Sequence, residues 1–185
     1  MRLVLATQNP HKVVELGAAL PGWTVEALGR AELPPETGAS YRENALAKAR
    51  FARAHAPAAA WGAGEDSGIE VVALGGAPGI RSARWASDGV ARMLEELTGH
   101  EERSARYVCA LAAIGPDGRE VVTEGILVGT IATAPRGHEG FGYDPIFVPE
   151  GEMATTAELG DAWKRRHSHR ARAAAALAAA LGTDS

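Results

Sequence analysis

Residues 3–12 read Leu3-Val4-Leu5-Ala6-Thr7-Gln8-Asn9-Pro10-His11-Lys12. Four apolar residues before a polar break predict a short strand over 3–6. Asn9 followed by Pro10 then predicts a helix start, because an asparagine side chain caps free amides and proline fits the first helical position. A strand feeding straight into a helix is how an α/β fold begins. The same junction gathers a hydroxyl, amides, open helix N–H groups and the Lys12 ammonium, a natural setting for an anion. It lacks the glycines and the Gly-Lys-Ser/Thr ending of a Walker A loop, so on its own the fragment is a weak signal and a plain capped helix is the favoured reading.

What lifts the fragment above that reading is where the lysines fall. The chain has three lysines, Lys12, Lys48 and Lys164, against sixteen arginines, and its only side-chain amides, Gln8, Asn9 and Asn44, each lie within four residues of a lysine. A compact ammonium with rotatable donors suits a phosphate oxygen better than a planar guanidinium does. A coding bias against lysine would leave a few by chance, but three polar clusters around them point to a polyphosphate site.

Working outward, Ser40-Tyr41-Arg42-Glu43 is a capping box that predicts a helix to about Ala56, closed by Pro57. Asn44 and Lys48, four apart, share a face of it. Residues 61–65 approach a turn expected at Asp66-Ser67-Gly68, which would present Glu65 and Asp66 at a strand end, with a second strand over 69–74 beyond it. Asp88 predicts the cap of a third helix ending near Gly99. Stretches 105–114 and 119–133 flank Gly115-Pro116-Asp117-Gly118, a hairpin signal. The loop Gly140-Phe141-Gly142-Tyr143-Asp144-Pro145 is too rich in glycine and aromatics for a plain linker. A last helix is expected from about Ser168, with His169 and Arg170 in its first turn and Gly182 beyond its end.

At 185 residues the chain suits one domain, 1–185, with room for two lobes. A net charge of -4 argues against a broad nucleic-acid or anionic-membrane surface, so an anionic ligand must be met locally. Cys109 is the only cysteine, which excludes an internal disulfide and a thiolate zinc cluster, and its apolar run predicts a buried strand position. The six histidines show no zinc-ligand spacing. The opening apolar stretch turns polar too early for a signal peptide, and the alanine-rich segment 172–181 is far short of the roughly 20 apolar residues of a membrane span. A cytoplasmic protein without membrane or nucleic-acid partners is the expectation.

Six clusters occur in order along nearly the whole chain: Thr7-x-Asn9-x-x-Lys12, Glu43-Asn44-Ala45-x-x-Lys48-Ala49, Glu65-Asp66-Ser67-Gly68, Pro78-Gly79-x-x-Ser82-Ala83-Arg84, Gly140-Phe141-Gly142-Tyr143-Asp144-Pro145 and Ser168-His169-Arg170. In that order they resemble the inosine/xanthosine triphosphate pyrophosphatases. The resemblance implies a homodimeric α/β protein with a long mixed sheet flanked by helices and an active cleft between two lobes. It further implies conversion of ITP, dITP and XTP to the monophosphate and pyrophosphate with magnesium, or manganese in its place. By position, Thr7, Gln8, Asn9, Pro10, His11, Lys12 and Lys48 would hold the phosphates, with Ser67 beside them. Glu36 and Asp66 would hold the metal, with Asp66 catalytic as general base or as the ligand that orients water. Phe141, Gly142, Tyr143, Asp144, Lys164, His169 and Arg170 would surround base and sugar, Arg170 offering donors to a 6-oxo group. Glu65 stands where aspartate is frequent in that family, and Ala162-Trp163 where acidic residues are. The rivals are a Maf-type nucleotide pyrophosphatase with other base preferences, and a purine sensor that binds without cleaving.

Overall fold

The computed structural model describes residues 1–29 and 32–182. Its elements are β1 (Arg2–Leu5), α1 (Pro10–Ala19), β2 (Thr24–Ala27), α2 (Tyr41–His55), β3 (Trp61–Val71), α3 (Gly89–Glu96), β4 (Ser104–Ile114), β5 (Glu120–Ile131), β6 (Phe147–Pro149), α4 (Thr156–His167) and α5 (His169–Leu181). One sheet orders them β2-β1-β3-β4-β5-β6. The β1 strand runs parallel to both β2 and β3, whereas β5 and β6 are antiparallel, so the sheet is mixed. Among the described residues no helix is long and apolar enough to cross a membrane.

The chain divides into two compact units. The first comprises Met1–Asp66, Cys109–Gly125 and the segment from His169 onward; the second comprises Ser67–Val108 and Ile126–Ser168. In the first, Leu3, Leu5, Leu16, Leu20, Ala63, Cys109, Leu111 and Leu177 form a core of strand and helix side chains. In the second, Ile69, Val71, Met93, Leu97, Tyr107, Leu127, Ile146 and Phe147 do the same. Each cluster removes apolar surface from water at about 25 cal/mol per Å².

The predicted caps form as the sequence implies. The Asn9 side chain accepts from His11 N with Pro10 behind it, Ser40 Oγ accepts from Glu43 N, and Asp88 accepts from Ala91 N. The reciprocal half of the Ser40 box shifts by one residue, since Glu43 Oε2 accepts from Ala39 N at 2.7 Å. At the hairpin, Gly115 N bonds Arg119 O and Gly118 takes a positive φ of 83°.

Other expectations need correction. No turn occurs at 66–68: β3 runs unbroken through Asp66, Ser67 and Gly68 to Val71, and beyond it Val72–Leu74 is a short 3-10 turn rather than strand. Aspartate and glycine favour turns only while their polar groups lack better partners, and here Asp66 finds Lys48 and Asn44. The last helix, by contrast, stands where it was expected: α5 runs from His169 to Leu181, with His169 and Arg170 in its first turn and Gly182 beyond its end, while Ser168 caps the end of α4 in an extended conformation. Strand β2 and helix α4 were not anticipated, although Thr155-Thr156-Ala157-Glu158 is a full capping box at the start of α4.

Candidate functional site

Strand β3 places consecutive residues on opposite faces. Ala63 and Glu65 point toward α1 and α5, where Ala63 joins the first unit's core. Gly62, Gly64 and Asp66 point toward α2, and glycine at 62 and 64 lets the backbone of α2 lie close at Arg53, Ala45 and Ala49. The approach brings Asn44 and Lys48 onto Asp66. Asn44 Nδ2 donates to Asp66 Oδ2 at 3.0 Å, and Lys48 Nζ donates to Asp66 Oδ1 at 3.2 Å and to Glu36 Oε1 at 2.6 Å. Asn44, Lys48 and Asp66 are all buried.

Burial pushes the Asp66 carboxyl above the ordinary aspartate range despite the opposing pull of Lys48 and Asn44, and the Glu36 charge adds to the rise. For Lys48, burial disfavours the charged form, but Asp66 and Glu36 outweigh it and hold the ammonium above its usual value. Two carboxylates facing one ammonium form a hard-oxygen donor pair whose mutual repulsion a divalent cation relieves. Among the described residues no cluster of three or more histidine, cysteine or acidic side chains could hold a metal. The oxygen chemistry of Glu36 and Asp66 fits the one or two carboxylates through which magnesium is commonly bound, with its other positions left to water and phosphate.

On the opposite face of β3, Glu65 Oε2 lies 2.5 Å from Lys12 Nζ, and Glu65 Oε1 accepts from Arg170 Nη2 at 2.8 Å and Nε at 3.2 Å. Arg170 Nη1 pairs with Glu15. Burial works against the guanidinium, but Glu65 and Glu15 outweigh it and raise Arg170 above its ordinary value. The Cys109 thiol lies 3.5 Å from Glu65 Oε1, and burial pushes it well up. The strand cysteine is fully buried as the sequence implied.

The second unit has its own polar centre at Asp144. Its Oδ2 accepts from Lys164 Nζ at 2.6 Å and from Phe141 N at 2.9 Å, while Oδ1 accepts from Thr156 Oγ1 at 3.0 Å and Tyr107 OH at 3.4 Å. Lys164 Nζ stands 4.9 Å from the Phe141 ring centre, and Tyr143 OH donates to Ser82 O. The Lys164 ammonium of α4 is thereby drawn to the carboxylate and aromatic ring of the glycine-rich loop, where Gly140 and Gly142 take positive φ. The unusual Trp163 is accommodated: its Nε1 donates to Glu152 at 3.1 Å and its ring lies against His167.

Of the residues singled out from sequence, the first unit brings together Lys12 with Arg170, and Lys48 with Glu36 and Asp66; the second gathers Phe141, Tyr143, Asp144 and Lys164. Thr7 Oγ1 accepts from Asn9 N, which shapes the turn carrying exposed Gln8, Pro10 and His11. Ser67 is half-buried on β3, Gly142 is exposed and His169 is buried beside Arg170 on α5. Arg170, expected on a base edge, is 1% exposed with its guanidinium committed to two carboxylates. Sequence reasoning did not identify Glu15, Tyr107 or Thr156; helical spacing from Lys12 to Glu15 and the Thr155 capping box were the available signals.

Comparison with known proteins identifies the family and the fold. The Ham1 family pattern matches residues 3–180. The chain is 48% identical to a dITP/XTP pyrophosphatase of Caulobacter vibrioides, covering 97% of each chain, and 44% identical to a dITP/XTP pyrophosphatase of Deinococcus radiodurans, covering 98% of this chain and 93% of that one. The Ham1 protein of Staphylococcus aureus superimposes with a TM-score of 0.85 at 34% identity over 98% of both chains, and a HAM1 protein of Coxiella burnetii with 0.83 at 30% over the full length of both. The family match over residues 3–180, with relatives 44% and 48% identical over nearly the whole chain, shows that the chain belongs to the Ham1 family.

Proposed function

We propose that this chain is a nucleoside triphosphate pyrophosphatase that converts ITP, dITP and XTP to the monophosphate and pyrophosphate, and so removes deaminated purines from the nucleotide pool. The observation that carries the reading is the buried Asp66 carboxylate gripped on one oxygen by Lys48 and on the other by Asn44, with Glu36 on the same ammonium. The names of the relatives support the substrate class.

A triphosphate resists hydrolysis because its negative charge repels a nucleophile, so the protein must offset charge and place a water in line. Lys12 and Lys48 meet the phosphate oxygens as compact ammonium groups with rotatable donors. Asp66 aligns the water toward the α-phosphorus, as general base or as the ligand that orients it; a carboxylate has four lone-pair positions, so its bonds to Lys48 and Asn44 leave acceptor capacity. The P–O bond to the β-phosphate breaks and pyrophosphate leaves. Glu36 and Asp66 would hold magnesium, or manganese in its place, which would supply further charge neutralisation on the phosphates.

Around the base, Phe141 offers a stacking surface and Lys164, fixed by Asp144, a donor. Donors aimed at a 6-oxo group face the 6-amino group of adenine donor against donor, and a buried polar group left unpaired costs about 1–3 kcal/mol. Residues 1–185 would act as one catalytic domain, as a homodimer in the cytoplasm. The test is chromatography of early time points with ITP and magnesium, repeated with XTP, GTP, ATP and UTP. IMP and pyrophosphate as first products, with ITP and XTP preferred, is the expected result. IDP and orthophosphate would refute attack at the α-phosphorus, preference for pyrimidines would favour a Maf-type activity, and binding without turnover would mark a sensor.

A further inference from the structure

Asn44 sits near the start of α2 and is 1% exposed. Its side-chain amide is engaged at both ends. Nδ2 donates to Asp66 Oδ2 at 3.0 Å, and Oδ1 accepts from Gly38 N at 2.9 Å. One partner is an acceptor and the other a donor, so a single orientation of the amide satisfies both. Gly38 lies two residues after Glu36, which stands in a tight turn closed by Thr37 N donating to Pro35 O at 3.1 Å. Asn44 therefore ties the backbone that carries one carboxylate to the side chain of the other. The tie needs glycine at 38, since a Cβ there would stand 2.7 Å from Asn44 Oδ1 and 2.8 Å from Glu43 Cβ.

We infer that Asn44 is a positioning residue that fixes Glu36 and Asp66 relative to each other, so that the two carboxylates form a ready seat for a divalent cation. The inference rests on the proposed function for the metal role of those carboxylates. Lys48 also joins them, at 2.6 Å from Glu36 Oε1 and 3.2 Å from Asp66 Oδ1, but the same ammonium is the one assigned to phosphate. An ammonium drawn toward phosphate loosens its hold on both acids, and two like charges then push apart. Asn44 is neutral. It keeps its two partners whatever Lys48 does, and it leaves their negative charge for the cation, which a second lysine in its place would cancel. Aspartate at 44 would accept from Gly38 N but set oxygen against the Asp66 oxygen. An aliphatic residue would take a hydrogen bond from both partners and give nothing back.

The experiment measures Mn2+ binding to the nucleotide-free protein, read from the electron paramagnetic resonance signal of the free ion, in the wild type, Asn44→Ala, Gly38→Ala and the double variant, with thermal melts to confirm folding. Loss of a residue that orients a metal ligand weakens metal binding by about 10- to 100-fold. Expected are a Mn2+ dissociation constant raised by that factor in Asn44→Ala, a raised constant in Gly38→Ala, and a double variant no weaker than Asn44→Ala, because the glycine acts through the amide. With ITP as substrate, Asn44→Ala should need correspondingly more magnesium for half-maximal rate and should regain turnover as magnesium rises. A folded Asn44→Ala that binds Mn2+ as the wild type does overturns the inference, and so does a double variant whose loss is the product of the single losses. Should Asn44→Ala fail to fold, Gly38→Ala, in the half-exposed segment ahead of α2, decides alone, and unchanged binding overturns the inference. A wild type that takes up no Mn2+ without nucleotide overturns it too, because the pair is then no ready seat. A wild type that binds Mn2+ without hydrolysing ITP overturns the proposed reaction instead, and the binding comparison still decides the role of Asn44.

Discussion

Neighbouring carboxylates in β3 meet different fates because alternate side chains on a strand face opposite ways. Asp66 meets Lys48 and Asn44 of α2, while Glu65 meets Lys12 and Arg170. Replacing Asp66 with asparagine keeps size and some hydrogen bonding but removes the charge, so turnover should fall by about 10²–10⁴-fold, the range that a positioned acid–base group supplies. Steady-state kinetics beside a thermal melt checks this; a well-folded variant with near-wild-type turnover would reduce Asp66 to a structural role. Cys109 gives a pH prediction. Its folded-state thiol is raised by burial above the unfolded value, so the stability it contributes is complete below the unfolded thiol range and is lost as pH climbs through and above it, because only the unfolded chain then ionises. Unfolding midpoints measured from pH 7 to 10.5 should decline more steeply for the wild type than for Cys109→Ala; parallel curves would contradict the burial argument. The lysines and acids were legible in the sequence through their scarcity and clustering. Their partners were not, because Glu65 and Arg170 meet across 105 positions and no local pattern encodes that contact.

At the scale of elements, caps were the most readable feature. Asn9, Ser40 and Asp88 each satisfy an open helix amide by a bond local in sequence, which a local reading can find. The supposed turn at 66–68 misled because turn propensity is weak beside a buried ion pair and a strand ladder. Where α5 crosses β5, Gly125 does what no side chain can: a Cβ there would collide with the His169 carbonyl and the Ala173 amide. Thr123 Oγ1, donating to Ala173 O at 2.8 Å, binds the same helix to the same strand. Gly125→Ala should therefore cost about 1–3 kcal/mol, the usual range for overpacking, and lower activity by shifting the turn that carries His169 and Arg170. Urea unfolding and kcat/KM on one preparation report both effects, and a variant as stable and active as the wild type would show that α5 has room to move.

For the molecule as a whole, the six-stranded mixed sheet is shared by relatives from distant bacteria, and the family clusters, rather than composition, made that fold legible. Composition did bound the possibilities, since a charge of -4 argues against a broad basic surface for nucleic acid. In the second unit Val72, Ile126 and Val128 stay exposed, and Ile126 and Val128 lie on one face of β5. Apolar surface of this kind is what a second copy would cover, in keeping with the proposed homodimer. Sedimentation at low micromolar concentration should give twice the chain mass; a monomer across that range would refute it.

The first unit is assembled from three stretches of chain, and both stretches of the second unit lie between them in sequence. On the ribosome, its final stretch emerges last, and that stretch carries Arg170. Until then Glu65 has no arginine to meet, so the opening 66 residues cannot reach their mature packing as they are made, and the unit must close by capturing a late helix. Chains stalled before residue 169 should be cut readily by protease at β1 and α1, whereas released chains should resist; equal resistance would mean that the unit closes without its last helix.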